Sequence, residues 1–525
     1  MHDRTLPDRI AALAVATLLL VASAPAVADT ATADTTAADA PTSDAPTSDA
    51  PTTDVPTTDG PDVTAREAGE RDADTRGTET PGAHVAPADP GDGDPLPASA
   101  DHGTQPANDR DLRLTQASPR PNPPFALDDS RGGVVSYGPT PLSPGALSGA
   151  PGRGLTIRVD DRFSLNIRSR ILARHVVNTP APEVSADGSL DDRDWRQQTT
   201  IGTARLWFFG NVFRPEITWM IQLAVAGRDY RDGTTSPIFD AYMDWAFHRD
   251  FRMRVGQFFV PFDRLRTVRE WALQLAERPR PVQELTLDRD VGIMLYSDTF
   301  LGDDSPIAWR LGVFGGGGAN TTGFMDPGGL LVGRLEYRPL GPIDDDQEGD
   351  LLRRERPALA LGAGYAVNIN TDRVRSTTGA RFQLGSATFH HIALDATFKW
   401  RGFALQLAHL WKLATEDEIE GTAADGSRIF EATRSGRGWV AQASYVFERP
   451  VELVGRASQL APVGATDPLF IDELDRLGRE LAFGVNYYVN GHRMKIQADW
   501  IARLPDTYDL RQGDHSAYLQ LDVTF

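Results

Sequence analysis

The chain has 525 residues, 37 prolines, no cysteine and a formal net charge of −20 at pH 7. The absence of cysteine excludes a fold held by disulfides, so an exported chain of this kind needs a large core or a closed hydrogen-bonded sheet. No nucleic-acid partner is expected of so acidic a chain.

The first 28 residues have the features of a secretory signal peptide. Arg4 and Arg9 supply positive charge, residues 10–22 form an apolar run, and Ala26-Val27-Ala28 offers a cleavage site with small residues. The apolar run is short for a membrane span, so an uncleaved anchor is the less favoured alternative. The chain is therefore predicted to be exported.

Residues 29–152 form a segment rich in Ala, Pro, Thr, Asp and Gly. Residues 40–59 repeat one pentapeptide pattern four times, as in Ala40-Pro41-Thr42-Ser43-Asp44. Residues 29–150 carry 21 acidic and 7 basic side chains, so most of the negative charge of the chain lies here. Such a composition cannot bury enough apolar surface to fold and predicts a disordered periplasmic segment. The segment is either a spacer or a tether that contacts the cell wall.

Residues 153–525 are predicted to form an all-β domain, a 16-stranded antiparallel transmembrane β-barrel. Apolar and polar residues alternate over segments of about ten residues, which gives each strand one apolar and one polar face. The segment from Ile217 to Val225 is a clear example. The predicted strands are 163–177, 199–212, 216–226, 238–248, 251–259, 290–298, 307–314, 330–338, 357–368, 389–400, 403–412, 437–447, 451–458, 480–489, 494–503 and 517–525. The alternation is weakest in 451–458.

The predicted connections alternate between short and long along the chain. An up-and-down barrel with short turns on the periplasmic side and long loops outside has this order. The exception is 339–356, a long acidic connection where a short turn is expected. Sixteen strands place both ends of the barrel at the short-turn rim, so the N-terminal segment is predicted to lie in the periplasm.

Charged residues on the polar face are expected to point into the lumen, because an Arg facing lipid at the midplane costs about 2–4 kcal/mol. Two pairs of successive inward arginines, Arg168 with Arg170 and Arg252 with Arg254, place guanidinium groups about 7 Å apart along their strands. Guanidinium groups suit phosphate and carboxylate oxygens, so a series of them favours stepwise passage of anions. The alternative is that inward charges form salt bridges that brace the barrel.

The connection 260–289 is the longest and is predicted to carry a helix. Asp263 is the expected N-cap, Leu265, Val268, Ala272 and Leu275 form an apolar stripe, and Pro279 and Pro281 are expected to follow the end of the helix. The apolar stripe needs a surface to pack on, and the barrel interior is the nearest. We therefore expect the loop to fold inward and narrow the channel, with a lid over the outer mouth as the alternative.

Several short motifs resemble the phosphate-selective porin O and P family. They are Gly256-Gln257-Phe258-Phe259-Val260-Pro261-Phe262, Leu287-Asp288-Arg289-Asp290-Val291-Gly292-Ile293, Phe163-Ser164-Leu165-Asn166-Ile167-Arg168-Ser169-Arg170 and Ala204-Arg205-Leu206. The resemblance implies a trimeric outer-membrane barrel that passes small anions through a constriction formed by the third loop. By the resemblance, Arg170 corresponds to a wall arginine and Asp240 to an acid beside the central site.

The function predicted from the sequence is passive diffusion of small solutes, with a bias towards anions such as phosphate. The expected pore-lining residues are Arg168, Arg170, Arg205, Arg252, Arg254, Lys399 and Asp240, and those of the constriction loop are Arg264, Arg266, Arg269 and Glu270. The expected partners are the lipid bilayer with lipopolysaccharide, small anions and a homotrimer. No cofactor or metal is expected. A general non-selective porin and a structural tether remain alternatives.

An enzyme is not expected, because no nucleophile motif accompanies His390, His391 or His409.

Overall fold

The computed structural model describes residues 147–150, 152–182, 194–230, 236–321, 326–341, 343 and 346–525. The predicted signal peptide and most of the predicted disordered segment lie outside the described residues. Leu147–Ala150, at the end of that segment, form a strand. The described β-structure therefore begins before the predicted boundary at residue 153.

Twenty strands and three short helices make up the described fold. The strands are β1 Leu147–Ala150, β2 Gly154–Arg158, β3 Ser164–Thr179, β4 Arg196–Val212, β5 Arg214–Ala224, β6 Ile238–His248, β7 Phe251–Phe259, β8 Arg289–Ser297, β9 Ile307–Phe314, β10 Gly329–Tyr337, β11 Ala358–Thr371, β12 Ala387–Trp400, β13 Phe403–Ala414, β14 Glu418–Thr422, β15 Arg428–Ala432, β16 Gly436–Val446, β17 Val451–Pro462, β18 Arg479–Tyr488, β19 Met494–Leu504 and β20 Asp514–Thr524. The helices are α1 Arg264–Thr267, α2 Arg280–Leu285 and α3 Pro468–Leu477. Within the described residues, no helix has the length and apolarity needed to cross a bilayer.

Sixteen of the strands, β3–β13 and β16–β20, form a closed antiparallel barrel, which confirms the predicted fold class. Each strand pairs with the next, and β20 pairs with β3 to close the cylinder. The last residue takes part in closure, because Phe525 and Ser169 exchange two main-chain hydrogen bonds of 2.8 and 2.9 Å. Closure leaves no unpaired edge among these strands.

The hairpin of β1 and β2 extends the sheet at the short-turn rim. β2 pairs with the first residues of β3, from Ser164 to Ile167. β20 pairs with the later part of β3, from Arg170 onward. The β1–β2 hairpin therefore pairs with the part of β3 that lies beyond the end of β20.

The outward face of the barrel is a broad apolar surface. Large hydrophobic side chains recur at alternate positions around the cylinder and stay exposed, among them Met243, Val255, Ile293, Leu311, Val313, Leu331, Leu335, Leu361, Leu394, Leu453, Phe483, Val485 and Leu519. Moving one such side chain out of water is favourable by about 1.5–3 kcal/mol. Keeping all of them in water would therefore carry a large free-energy cost. The outer wall therefore needs a hydrocarbon surrounding.

The inward side chains differ between two parts of the wall. On β10–β13 and β16–β19, the inward positions in the central part of each strand are buried. On β3–β9, several inward side chains keep partial exposure, among them Arg174, Trp207, Thr218, Arg254 and Arg310. We call these two parts the packed half and the open half of the wall.

Candidate permeation path

The connection between β7 and β8, residues 260–288, crosses the barrel interior and is called the inner loop below. The Gln274 side chain donates to Ser444 Oγ on β16 at 2.5 Å, and the Ala276 main-chain N–H donates to Asp499 Oδ2 on β19 at 2.5 Å. On the opposite wall, eight strands around the ring from β16, Asp240 of β6 accepts from Arg269 of the inner loop at 2.8 Å. The inner loop therefore bridges walls on both sides of the lumen.

The prediction of one continuous helix in this loop was wrong. The Asp263 side chain caps α1 as expected, by accepting from Arg266 N at 2.9 Å, but α1 has only four residues. Val268 takes an extended ψ of 129° and ends the helix, and a 3-10 turn follows at Glu270–Ala272. Pro279, expected beyond the helix end, is instead the N-cap of α2.

The apolar residues of the predicted stripe are buried despite the broken helix: Leu265, Val268, Ala272 and Leu275. Contacts with the wall thus replace helical continuity in ordering the loop. Burial also raises the pKa of Asp263 to about 6. The loop backbone follows the shape of the interior rather than the helical periodicity of its sequence.

Three inward-facing glycines of the packed half receive the inner loop at close range. A Cβ on Gly364 of β11 would lie 2.2 Å from the Phe262 carbonyl oxygen. A Cβ on Gly438 of β16 would lie 2.7 Å from Pro281, and one on Gly484 of β18 would lie 2.7 Å from Leu275. These glycines are docking positions for the loop, because any side chain there would push it away from the wall.

Three inward lysines bind main-chain carbonyl groups of segments folded into the barrel. Lys399 Nζ donates to Gln347 O at 2.8 Å and Lys495 Nζ donates to Leu273 O at 2.7 Å. Lys412 Nζ donates to Val374 O at 3.1 Å. Lys399, predicted to line the pore, is fully buried. Its position therefore suits bracing of a folded-in segment better than contact with a solute.

The predicted arginines on β3 and β4 are buried and hold partners. Arg170 makes a two-pronged ion pair with Asp522, with contacts of 2.6 and 2.7 Å. Arg205 pairs with Asp229, including a contact of 2.9 Å. Arg168 donates to the Arg153 carbonyl oxygen at 3.0 Å. On these two strands, the guanidinium groups thus bind two carboxylates and one main-chain carbonyl group of the protein itself.

Arg252 and Arg254 lie together on β7, as the alternation predicts, and share the Asp244 carboxylate. Arg254 Nε lies 2.8 Å from Asp244 Oδ2, and Arg252 Nη2 lies 3.5 Å from Oδ1. The Arg254 guanidinium also stacks on the Tyr242 ring at 4.4 Å from its centroid. The Arg254 side chain nevertheless keeps 11% of its surface exposed, against 6% for Arg252.

Asp240 is fully buried and lies at the centre of an ion cluster. Arg269 of the inner loop and Arg289 of β8 each donate to its carboxylate at 2.8 Å. The Arg289 guanidinium lies between the rings of Phe239 and Phe259, at 3.6 and 3.7 Å from their centroids. Arg289 also pairs with Asp288 at 3.1 Å, and Arg266 pairs with the same carboxylate, so three guanidinium groups and two carboxylates leave a net charge of about +1 beside the inner loop.

Arg289 was absent from the predicted set of pore-lining residues because that strand was expected to start at residue 290. The signal was available in the motif Leu287-Asp288-Arg289-Asp290, which the resemblance singled out.

Glu452 and Arg456 of β17 were also missed. Both point inward and are buried, and they lie on the strand whose alternation is weakest.

The remaining predicted loop residues lie at different depths. Glu270 also accepts from Thr203 Oγ1 at 3.0 Å and pairs with Arg228. Burial alone would raise the pKa of Glu270, but Arg170, Arg228 and Arg205 lower it well below its ordinary value. Arg266 pairs with Asp288, whereas Arg264 is buried in α1.

Charges of both signs therefore border the open half. The partly exposed bases there include Arg174, Arg228, Arg254, Arg269 and Arg310, and the partly exposed acids include Glu270, Glu277 and Asp298. Arg289 and Asp240 lie just behind this surface. In the part of the chain that the structure describes, no cluster of three or more His, Cys, Asp or Glu side chains could hold a metal ion.

Comparisons with solved structures return outer-membrane porins at low sequence identity. OmpF of Salmonella typhi in complex with daunomycin is 13% identical, with 70% of this chain and 98% of that chain covered and a TM-score of 0.45. The anion-selective porin from Comamonas acidovorans is 11% identical, covering 69% of this chain and 99% of that chain, with a TM-score of 0.41. OprB of Pseudomonas putida is 8% identical over 69% of this chain and 94% of that chain, with a TM-score of 0.42.

No family model matches the chain, and no curated protein matches it. The resemblance to phosphate-selective porins thus stays a prediction from the motifs. The fold itself rests on the strand pairing of this chain.

Proposed function

We propose that the protein is an outer-membrane channel for passive diffusion of small hydrophilic solutes. One observation carries this proposal: a closed 16-stranded barrel has an apolar outer surface and, on one half of its inner wall, partly exposed charged side chains. An apolar exterior requires lipid, and a hydrated charged wall offers polar solutes a path. The inner loop borders that path with the partly exposed side chains of Arg269 and Glu270.

We further propose a modest preference for anions. The bases that support it are Arg254 of the wall and Arg269 and Arg228 beside the inner loop. Most inward arginines are paired with acids, which favours a weak bias rather than a dedicated phosphate site. With no anion preference at all, the protein would be the non-selective porin that the sequence left as an alternative.

The test is the zero-current potential of the purified protein in a planar bilayer under a salt gradient. An anion preference is expected, and the double change Arg252→Ala and Arg254→Ala should lower the anion/cation permeability ratio. Arg428→Ala, which removes an exposed charge from β15 in the separate two-stranded sheet, is the control and should leave the ratio unchanged. A cation preference in the parent protein would eliminate the anion bias and leave the channel standing.

The proposal also includes the cellular location, the oligomeric state and the position of the N-terminal segment that were predicted from the sequence. The barrel would lie in the bacterial outer membrane as a homotrimer, with residues 29–152 in the periplasm. Deletion of residues 29–150 should leave conductance unchanged. Loss of attachment between membrane and cell wall in that variant, with transport intact, would establish the tether as a second role.

A further inference from the structure

The connection between β10 and β11 is the long acidic one where a short turn was expected, and its described residues 346–354 cross the short-turn mouth of the barrel. We call residues 346–354 the strap. Asp350 Oδ2 accepts from Gly402 N at 2.7 Å, and the Arg354 carbonyl oxygen accepts from Arg401 N at 2.9 Å. Both partners lie in the turn between β12 and β13. Gln347–Asp350 are buried, so the strap is packed against the barrel and is not a free surface loop.

The strap meets the inner loop inside the barrel. Glu348 Oε2 accepts from the main-chain N–H of Gln274 at 2.8 Å and from Gln442 Nε2 of β16 at 2.9 Å. Gln347 O accepts from Lys399, and its side-chain oxygen lies 3.0 Å from His492 Nε2 in the turn between β18 and β19. One carboxylate of the strap therefore binds the inner loop and the wall at once.

Close packing supports this junction. A Cβ on Gly349 would lie 2.5 Å from Glu452 Oε1 and 2.9 Å from Gln274 Nε2. The Gln274 carbonyl oxygen accepts from Asn486 at 2.9 Å and from Gln497 at 2.7 Å. Strap, loop and the four wall strands β16–β19 thus form one buried polar network around Gln274.

The wall beneath Gln274 has the chemistry of a water-filled lumen. Ser444, Gln442, Glu452, Asn486 and Gln497 all point inward there and are polar. These side chains would be hydrated if the inner loop moved away, whereas an apolar wall would oppose the entry of water. Displacement of the loop would therefore open a second hydrated path beside the open half.

We propose that the strap, through Glu348, holds the inner loop against β16–β19 and so limits the size of the solutes that pass. This inference rests on the proposed channel function and adds a positioning residue to it. Glu348 acts through the loop and need not touch the solute. Without its carboxylate, the Gln274 N–H and the Gln442 amide lose a buried charged acceptor, which weakens the attachment of the loop.

Thiol labelling tests the attachment without any measurement of transport. The chain contains no cysteine, so Ser444→Cys introduces a single thiol beneath Gln274. In the folded protein in detergent micelles, a water-soluble maleimide reaches this thiol when the loop lifts. Adding Glu348→Ala should increase the labelling rate about tenfold or more, because the loop loses hydrogen bonds to a buried carboxylate.

Two matched variants sharpen the labelling result. Glu355→Ala removes an exposed acid one residue beyond the strap and should leave the rate unchanged. Glu348→Gln keeps an oxygen acceptor for the Gln274 N–H and should restore most of the protection. If Glu348→Ala does not fold, as judged by heat-dependent gel mobility, Gly349→Ala replaces it, since its Cβ would push the strap from Glu452.

Liposome swelling tests the consequence for solutes. Glu348→Ala should admit neutral sugars larger than those that the parent protein admits, and Glu355→Ala should not. Equal labelling rates in parent and Glu348→Ala would overturn the positioning role. Faster labelling with an unchanged size limit would overturn the role in solute size. A parent protein without conductance would overturn the proposed function, and the labelling result would stand apart from it.

Discussion

The open and packed halves of the inner wall follow the same alternating sequence pattern and have different surroundings. Arg254 of β7 and Arg334 of β10 both point inward and both pair with an aspartate. Arg254 keeps partial exposure, whereas Arg334 is buried beneath the inner loop and also donates to the Phe262 carbonyl oxygen at 3.1 Å. An inward position thus defines which way a side chain points but not whether water reaches it.

The difference arises from the segments that fill the packed half. The inner loop docks on glycines at Gly364, Gly438 and Gly484, and wall lysines bind carbonyl groups of the segments folded in. A buried lysine that donates to main-chain oxygens stabilises a loop and does not contact a solute. The same residue type therefore has different roles in the two halves, and four experiments test this division.

The largest effect is expected at the Arg334–Asp395 pair of the packed half. Two contacts of 2.6 and 2.9 Å join the groups, and both side chains are buried. Arg334→Ala leaves Asp395 buried without this partner, which should lower the free energy of unfolding by about 3–5 kcal/mol. Urea unfolding in detergent micelles measures it. The exposed Arg356→Ala is the control, and equal stability of the two variants would contradict a packed half.

Asp263, which caps α1 at the edge of the packed half, should make stability depend on pH. Burial raises its pKa from 3.8 to about 6, so the folded protein keeps this proton at a pH where the unfolded chain has lost it. The stabilising contribution is complete below about pH 4 and is lost as the pH rises through about 6, on the order of 3 kcal/mol in total.

Asp263→Asn keeps an acceptor at the N-cap and should flatten this part of the pH profile. Unfolding measured at several values between pH 4 and pH 7 decides the matter. If the stability of Asp263→Asn depended on pH as steeply as that of the parent protein, a group other than Asp263 would be responsible.

Gly364→Ala should displace the inner loop from the packed half. Its Cβ would lie 2.2 Å from the Phe262 carbonyl oxygen, and overpacking of this kind costs about 1–3 kcal/mol. We expect lower stability together with a larger single-channel conductance. Gly455→Ala is the matched control, because its Cβ would point outward at an ordinary 3.6 Å from Phe483. Equal conductance of the two variants would show that Gly364 does not position the loop.

The smallest change in stability is expected in the open half, at Glu270. Its side chain is partly exposed, so Glu270→Gln should cost only about 1 kcal/mol or less. Loss of this negative charge beside Arg170 and Arg228 should raise the anion/cation permeability ratio. Because those arginines hold the pKa of Glu270 well below its ordinary value, Glu270 should stay charged from pH 8 to pH 5, and the difference in this ratio between parent and variant should stay constant over that range.

The strands were predictable because period-two alternation follows directly from strand geometry and the two environments of a barrel wall. β17 shows the limit of this signal: it runs to Pro462, four residues beyond its predicted end at 458. Its inward residues Glu452 and Arg456 are charged, but Val454 between them is apolar and packs with Leu275 of the inner loop. An apolar residue on the inner face weakens the alternation wherever a loop replaces water.

The candidate path was only partly predictable. The inward direction of Arg170, Arg205, Arg252, Arg254 and Asp240 followed from the pattern. The place of Asp240 beside a central site came from the resemblance. The partners of these residues come from distant parts of the chain, as with Asp522 for Arg170, and no local pattern contains such pairs.

The sequence alone determined the number of barrel strands, their approximate bounds, the order of short and long connections and the 339–356 connection as an exception. These features depend on the local alternation of apolar and polar residues and on the lengths of the segments. Both can be read from the sequence without knowing which distant residues are in contact. Only the tertiary structure decided that the inner loop breaks into two short helices, that it docks on wall glycines and that the strap meets it at Glu348. Those outcomes depend on contacts between residues far apart in the chain, because the wall decides the shape that the loop adopts.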